Sequence, residues 1–342
     1  MFVVTLAGNN KFLDGQTVKT KNIYNELIKK YGEENISKID TFNWKKHPIT
    51  FIRKCRKGLK NTENLIILPA HNGVKVFVPL FNFWNKFYHK KIFYAVVGGW
   101  LPEMLKMKSW LTKEIGKLSK VFVETTKMKT ELLKLGIKNV EIMLNFKNIQ
   151  PIKKENLKYT YNNPLKLCTF SRVMKQKGIE DAINVVKKIN EEANETVYAL
   201  DIYGQIDKNY AEEFEKIKNT LPSYIKYVGC VDSEKTVKTL ENYYLLLFPT
   251  KFRTEGIPGT IIDALSAGVP VVASKWENYV DILTEGENSF LFDMNDPDEF
   301  KNILEQLKDI NKVVSIKDKT LKSVEKFEPN NAIKVLYKSI EK

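Results

Sequence analysis

Short apolar and β-branched runs alternate with amphipathic stretches along the whole of this chain, and few architectures accept that order. Residues 3–6, 65–68, 93–97, 121–123 and 141–144 read as buried parallel strands, with helical spacing between them near 17–30, 74–88, 103–117 and 126–135. A second series follows at 166–170, 197–203, 225–228, 244–248 and 269–273. Strand, helix, strand in this order builds an open doubly wound sheet. The 342 residues suffice for two such units, each with its own core. The expected fold class is α/β, two similar Rossmann-like halves. Residues 151–164, closing in Tyr159-Thr160-Tyr161-Asn162-Asn163-Pro164, lack periodicity and read as a linker between 1–150 and 165–328. Pro329 opens a last helical segment, 329–342.

The second half is organised around Thr254-Glu255-Gly256-Ile257-Pro258-Gly259-Thr260-Ile261-Ile262-Asp263-Ala264-Leu265-Ser266-Ala267-Gly268-Val269-Pro270-Val271-Val272-Ala273-Ser274. Pro258 and Gly259 break what precedes them and Gly259-Thr260 opens a helix. Gly268 suits the residue just past its end, and Pro270 cannot continue it. Val271-Val272-Ala273 is then a strand covered on both faces. The first helical N–H groups and the positive end of the helix dipole share their space with Glu255. Phosphate is the common guest there, whereas a carboxylate beside phosphate is suited to hydroxyls. Acid, phosphate-binding amides, acid is the layout a nucleotide-sugar needs. The plainer alternative is an ordinary α/β loop with Glu255 solvated.

This stretch resembles the glutamate–seven residues–glutamate motif of the retaining glycosyltransferases of family 4 (glycosyl transferases group 1). Their GT-B fold has two Rossmann-like doubly wound α/β domains facing a central cleft. The resemblance implies that Glu255 contacts the donor sugar and Asp263 the nucleotide ribose. Two departures stand out: the second acid is one methylene shorter, and Pro258, where the family often has Gly, has no N–H to donate. Gly256 and the amides of Ile257, Gly259 and Thr260 remain for the donor. Ser171-Arg172-Val173-Met174-Lys175-Gln176-Lys177-Gly178 matches the family's Arg and Lys ahead of a helix. An Arg fork and a Lys point charge there hold a diphosphate. Tyr203-Gly204 ends the next strand, where the family's glycine loop lies beside the base, and Thr250 ends a further strand on the same cleft edge and is assigned to the donor. Gly15-Gln16 matches the glycine-containing loop after the first strand, where Gly8-Asn9-Asn10 also lies. The match covers about 165–295 by motif and the N-terminal half by architecture. The family's histidine position is occupied by Gly98-Gly99, so no catalytic histidine is carried over. Gly98, Gly99, Trp100 and His71 are assigned to the acceptor side. The resemblance also implies a 1–150 acceptor domain, a 165–328 nucleotide-sugar domain, and a 329–342 helix crossing back to the first domain.

Charge enters the argument because it is uneven. Residues 1–150 hold 27 Lys and Arg against 11 Asp and Glu, while the remaining 28 cations face 30 acids. An anionic partner on the N-terminal side follows. Residues 44–60 hold Lys45, Lys46, Arg53, Lys54, Arg56, Lys57 and Lys60 with no acid. Residues 77–93 interleave Phe77, Phe81, Phe83, Trp84, Phe87, Tyr88 and Phe93 with Lys86, Lys90 and Lys91. That composition fits a face that lies on an anionic membrane. It fits equally a core of aromatics with solvated lysines, and base-stacking nucleic-acid binders share it.

No apolar run reaches the ~18 residues of a membrane span, and Met1-Phe2-Val3-Val4-Thr5-Leu6-Ala7-Gly8 reads as a first strand rather than a leader. Cys55, Cys168 and Cys230 lack metal spacing and three His residues form no cluster, so neither zinc nor a prosthetic group is expected. The expectation is a cytoplasmic, metal-independent hexosyltransferase-like enzyme, peripheral at the inner face of the plasma membrane. It would use a UDP-linked donor and a glycan or lipid-linked acceptor in cell-surface polysaccharide synthesis, such as capsule or exopolysaccharide, with no nucleic acid as partner. The rivals are a non-catalytic GT-B partner subunit, a nucleotide-sugar epimerase on the same fold, and a nucleic-acid binder.

Overall fold

The structure is a computed structural model and describes residues 2–5, 15–41, 44–148 and 150–342. Leu6 and the Gly8-Asn9-Asn10 loop lie outside the described residues, and of Gly15 and Gln16 only the helical backbone is described. The chain divides into one unit of 1–148 with 327–342 and another of 149–326.

In the first unit the strands are β1 (Phe2–Thr5), β2 (Ser37–Asp40), β3 (Asn64–Ile67), β4 (Lys91–Ala95), β5 (Lys120–Val123) and β6 (Val140–Ile142). They pair in parallel in the order β2-β1-β3-β4-β5-β6. The helices are α1 (Gly15–Tyr31), α2 (Pro48–Lys60), α3 (Val74–Tyr88), α4 (Leu101–Lys106), α5 (Ser109–Gly116) and α6 (Thr126–Lys134). One face of the sheet packs Ile67, Tyr94 and Val121 on Phe51, Phe77, Phe81 and Leu111. The other packs Ile66, Phe93 and Phe122 on Ile23 and Leu27, together with Ile333, Leu336 and Ile340 from the end of the chain.

In the second unit β7 (Leu165–Phe170), β8 (Tyr198–Tyr203), β9 (Ile225–Gly229), β10 (Leu245–Phe248), β11 (Val271–Ser274) and β12 (Ser289–Phe292) pair in parallel, in the order β12-β11-β10-β7-β8-β9. The helices are α7 (Ile179–Ala193), α8 (Ala211–Lys218), α9 (Thr236–Leu240), α10 (Gly259–Ser266), α11 (Pro297–Gln306), α12 (Ile310–Val314) and α13 (Lys317–Lys322). After them α14 (Pro329–Ala332) and α15 (Lys334–Ile340) return to the first unit's core. Both sheets are the doubly wound α/β arrangement expected from the alternation.

Three elements differ from the sequence expectation. Ser37–Asp40 is an additional strand, polar and mostly exposed because it lies at the sheet edge. The 103–117 stretch is two helices, α4 and α5, broken at Met107-Lys108. Residues 151–164 are not a free linker: Leu157 packs on Gly268 and the Tyr161 ring meets Tyr244 edge-on, 4.8 Å away, so the segment belongs to the second unit.

Candidate functional site

Open parallel sheets bind ligands outside the carboxyl ends of their strands, at the point where strand order reverses. In the second unit that point lies between β7 and β10. The loops leaving these two strands are pressed together by a glycine. Gly178 has φ 67°, and a Cβ there would stand 1.9 Å from the Pro249 carbonyl oxygen, so no larger residue fits. Hydrogen bonds close the same seam. The Lys251 N–H donates to the Gln176 carbonyl at 2.8 Å and the Thr250 hydroxyl to the same oxygen at 3.4 Å. Ser274 Oγ donates to the Thr250 carbonyl at 2.5 Å. Thr250, assigned to the donor from the sequence, is fully buried and ties these loops together.

The seam brings Lys177 to Glu255, 78 residues apart in the chain. Lys177 Nζ donates to Glu255 Oε2, with both side chains 16% exposed, and lies 5.3 Å from the centre of the Phe248 ring. Glu255 is held from behind. Its carbonyl accepts from Asn278 Nδ2 at 2.7 Å, and Asn278 is itself 3% exposed. Just beyond, α10 starts at Gly259, and Thr260 Oγ1 is buried with no hydrogen-bond partner among the described residues. Gly256 and Ile257 are buried, while Gly259 and Thr260 are half-buried. The amides of Gly259 and Thr260 are among the N–H groups for which a helix start has no carbonyl. Asp263 sits further into α10 at 3% exposure.

Arg172 follows β7. Its guanidinium is half exposed, 3.7 Å from the carboxylate of Asp207. The carboxyl end of β8 crowds the same turn. A Cβ on Gly204 (φ 132°) would lie 1.8 Å from the Ser171 carbonyl oxygen. The Gly204 N–H is already given to Gly229 O at 2.8 Å, and its carbonyl takes the Tyr227 hydroxyl at 3.0 Å. Tyr203 lies inward rather than at the strand end: it is 7% exposed and stacks on Phe170 at 4.7 Å. The Tyr243 hydroxyl donates to Asp201 at 2.7 Å, so the Tyr203 hydroxyl must donate to Tyr243, also at 2.7 Å. Burial, then the hydrogen bond given to Asp201, hold the Tyr243 phenol far above its ordinary range, and burial raises Tyr203. Both are neutral donors that stiffen the strand end.

The structure brings Lys177, Glu255, Thr250 and the α10 start together, and it places Tyr203, assigned to the nucleotide from the sequence, inside the strand end as scaffold. The sequence reading missed Asn278 and Asp207. Asn278 follows β11, the neighbour of β10 on the same edge, and strand order would have pointed to it.

In the first unit, His71 follows β3 and is exposed, and its ring lies 5.2 Å from that of Trp100, which follows β4. Trp100 Nε1 donates to Val97 O at 2.8 Å, and Gly98 and Gly99 form the turn between them. The structure therefore joins all four residues assigned to the acceptor. Beneath this edge Lys19, 1% exposed, donates to the Val96 carbonyl at 2.9 Å and to Glu124 at 2.6 Å. No group of three or more His, Cys, Asp or Glu among the described residues could hold a metal ion.

Comparison with known proteins agrees with this geometry. Residues 164–309 match the family described as Glycosyl transferases group 1. An uncharacterized glycosyltransferase of Methanocaldococcus jannaschii, MJ1069, is 22% identical over 254 residues, 69% of this chain and 63% of that protein. The amylovoran biosynthesis glycosyltransferase AmsK of Erwinia amylovora is 23% identical over 183 residues, 52% of this chain and 44% of that one. The match thus spans less than two thirds of the length of each of these curated relatives. Among solved structures, Anabaena Alr3699/HepE in complex with UDP superposes with a TM-score of 0.77 at 13% identity, covering 99% of both chains. That likeness shows the fold: two parallel-sheet Rossmann-like α/β domains of the GT-B type.

Proposed function

We propose that this chain is a retaining, metal-independent glycosyltransferase of family 4. Its donor would be UDP-linked and its acceptor a glycan or lipid-linked glycan at the inner face of the plasma membrane, in cell-surface polysaccharide synthesis. The observation that carries the reading is the meeting of Lys177 and Glu255 at the switch point of the second sheet, beside the α10 start and Arg172. Arg172 and Lys177 neutralise the diphosphate as its bond to the anomeric carbon breaks, where negative charge grows in the transition state. The amides of Gly259 and Thr260 receive phosphate oxygens at the positive end of α10. Glu255 accepts hydrogen bonds from sugar hydroxyls and Asp263 holds the ribose. The acceptor hydroxyl oxygen bonds to the same carbon while its proton passes to the departing diphosphate, and His71, Gly98, Gly99 and Trp100 are the residues assigned to bind the acceptor. Gly15 and Gln16 belong to the donor end. The UDP in the Anabaena structure and the amylovoran role of AmsK support the donor and the pathway class.

The test is a thermal-shift panel of UDP, GDP, ADP and CMP on the wild type and on Arg172→Ala. A ligand at 100 times its dissociation constant adds ~2.7 kcal/mol of stability. UDP alone should raise the wild-type Tm, and the variant should lose that rise. A shift with another nucleotide only would replace the donor. No shift with any nucleotide, and no sugar transfer from UDP-sugars, would overturn the reading.

A further inference from the structure

The structure sorts the aromatics of residues 77–93 into two sets. Phe77, Phe81, Trp84 and Phe93 are core. Phe83 and Phe87 are not: they are 57% and 68% exposed, one helical turn apart on α3, their rings edge-to-face at 6.0 Å. Val76, 40% exposed, lies one heptad before Phe83 and continues the row. Met107 and Trp110, at the junction of α4 and α5, add apolar surface at 78% and 47% exposure. α5 is joined to α3 by the amide of Asn82, which donates to the backbone carbonyl and the carboxylate of Glu114. Isolated exposed apolar side chains are ordinary, but a row of large ones on one face marks an interaction site.

Charge identifies the partner. On one flank, α2 presents Ile49, Arg53, Arg56 and Lys60 at spacings that share a helix face, all exposed. Arg56 Nε donates to the Tyr88 hydroxyl at 3.0 Å, which sets this basic row beside α3. Among the described residues none of these three cations pairs with a carboxylate. On the other flank, a groove of about 370 Å³ beside Phe83 is lined by Lys86 and Lys117, with Glu114 as its one acid. An aromatic ridge bordered by the α2 row, which has no carboxylate partner among the described residues, and on the far side by Lys86 and the Glu114-bound Lys117, is the pattern that partitions into the headgroup–acyl boundary of anionic lipid, with phenyl rings inserted and guanidinium groups on phosphates. A second copy fits poorly, because a two-fold interface would bring the Arg53–Arg56–Lys60 rows of two chains together.

We propose that α3, through Phe83 and Phe87 flanked by the basic row of α2, docks this protein on an anionic lipid surface. The proposal deepens the membrane part of the function proposed above and rests on it.

Vesicles of phosphatidylcholine alone and with about 30% phosphatidylglycerol, at about 150 mM salt, are sedimented with the full chain. Wild type, Phe83→Ser/Phe87→Ser and Arg53→Gln/Arg56→Gln/Lys60→Gln are compared, each with its UDP-induced Tm shift as a check of fold. The wild type should bind the anionic vesicles at least tenfold more tightly than the neutral ones. Both variants should lose at least tenfold on anionic vesicles. A wild type without preference for anionic vesicles overturns the membrane reading itself. A preference that both variants keep leaves that reading standing and overturns this face. A dimer in sedimentation velocity that Phe83→Ser/Phe87→Ser dissociates, or a single-stranded oligonucleotide bound in place of vesicles, assigns the face to another partner and overturns the proposal.

Discussion

At the carboxyl edge of the second unit's sheet the loop cations meet carboxylates: Lys177 with Glu255, Lys251 with Asp181 at 2.8 Å, Arg253 with Glu277 at 3.0 Å, Arg172 with Asp207 at 3.7 Å. The first unit has the same sheet plan and places its cations differently. Its buried Lys19 is paired, but on α2 Arg53, Arg56 and Lys60 have no carboxylate partner among the described residues. A parallel sheet supplies a ligand edge in both cases. The placement of charge then separates an edge whose ionic groups hold each other from a face whose cations are left for the partner proposed above.

The largest expected effect tests how tightly the second edge is built. Gly204→Ala puts a methyl 1.8 Å from a backbone oxygen at φ 132°, so the β7 and β8 ends must separate. The expected loss is about 4 kcal/mol or more. Gly98→Ala at the first edge has φ 78°, but among the described residues its Cβ would meet only Trp100, at 3.4 Å. Strain alone costs about 1–2 kcal/mol there. Urea unfolding of both variants measures the difference, and equal losses would refute the contrast in crowding.

Two lysines, each 1% exposed, sharpen the contrast of charge. Lys19→Met removes the ammonium that donates to buried Glu124 and should cost about 3–5 kcal/mol. Lys317 on α13 has the Tyr161 hydroxyl at 2.8 Å as its acceptor. Burial, with Lys158 adding like charge, pushes its pKa down from 10.5 to about 8. The folded state therefore binds fewer protons than the unfolded one between these values, and stability should rise as pH climbs from about 8 to 10.5. At pH 7 the buried charge costs at most about 3 kcal/mol. Lys317→Met should thus stabilise by about 2 kcal/mol after loss of one hydrogen bond, and flatten the rise. Unfolding curves at pH 7 and 10 decide it; a destabilised Lys317→Met would mean that the amine contributes more than its burial costs.

What the sequence disclosed follows from local punctuation. Pro258-Gly259 and Gly268-Val269-Pro270 bracket α10, and β-branched runs mark the buried strands, so the α/β class and the Glu255 loop were legible. Polar Ser37–Asp40 was not, because an edge strand has no apolar run to show. The basic run 44–60 hid α2, whose buried row Phe51, Cys55 and Leu59 repeats every four residues beneath the cations. Helical spacing alone would have separated Phe77, Phe81 and Trp84 from Phe83 and Phe87. The contact of Lys177 with Glu255 and the support from Asn278 depend on strand order, which local sequence does not encode.

That contact leads to the smallest and most specific effect. Glu255 and a diphosphate would compete for one ammonium group, because Lys177 already donates to the carboxylate. Glu255→Gln keeps the shape of the side chain and removes its charge, so Lys177 is freed for phosphate. UDP should then bind about five times more tightly, near 1 kcal/mol, whereas sugar transfer should fall because an amide is a weaker acceptor for the sugar hydroxyls. Few mutations in a binding site are expected to improve binding of the leaving group while slowing the reaction. Titration calorimetry with UDP, beside a transfer assay with UDP-sugar, separates the two effects. Weaker UDP binding in Glu255→Gln would mean that the carboxylate positions Lys177 rather than occupying it. The edge would then be a fixed scaffold instead of a pair that the donor must part.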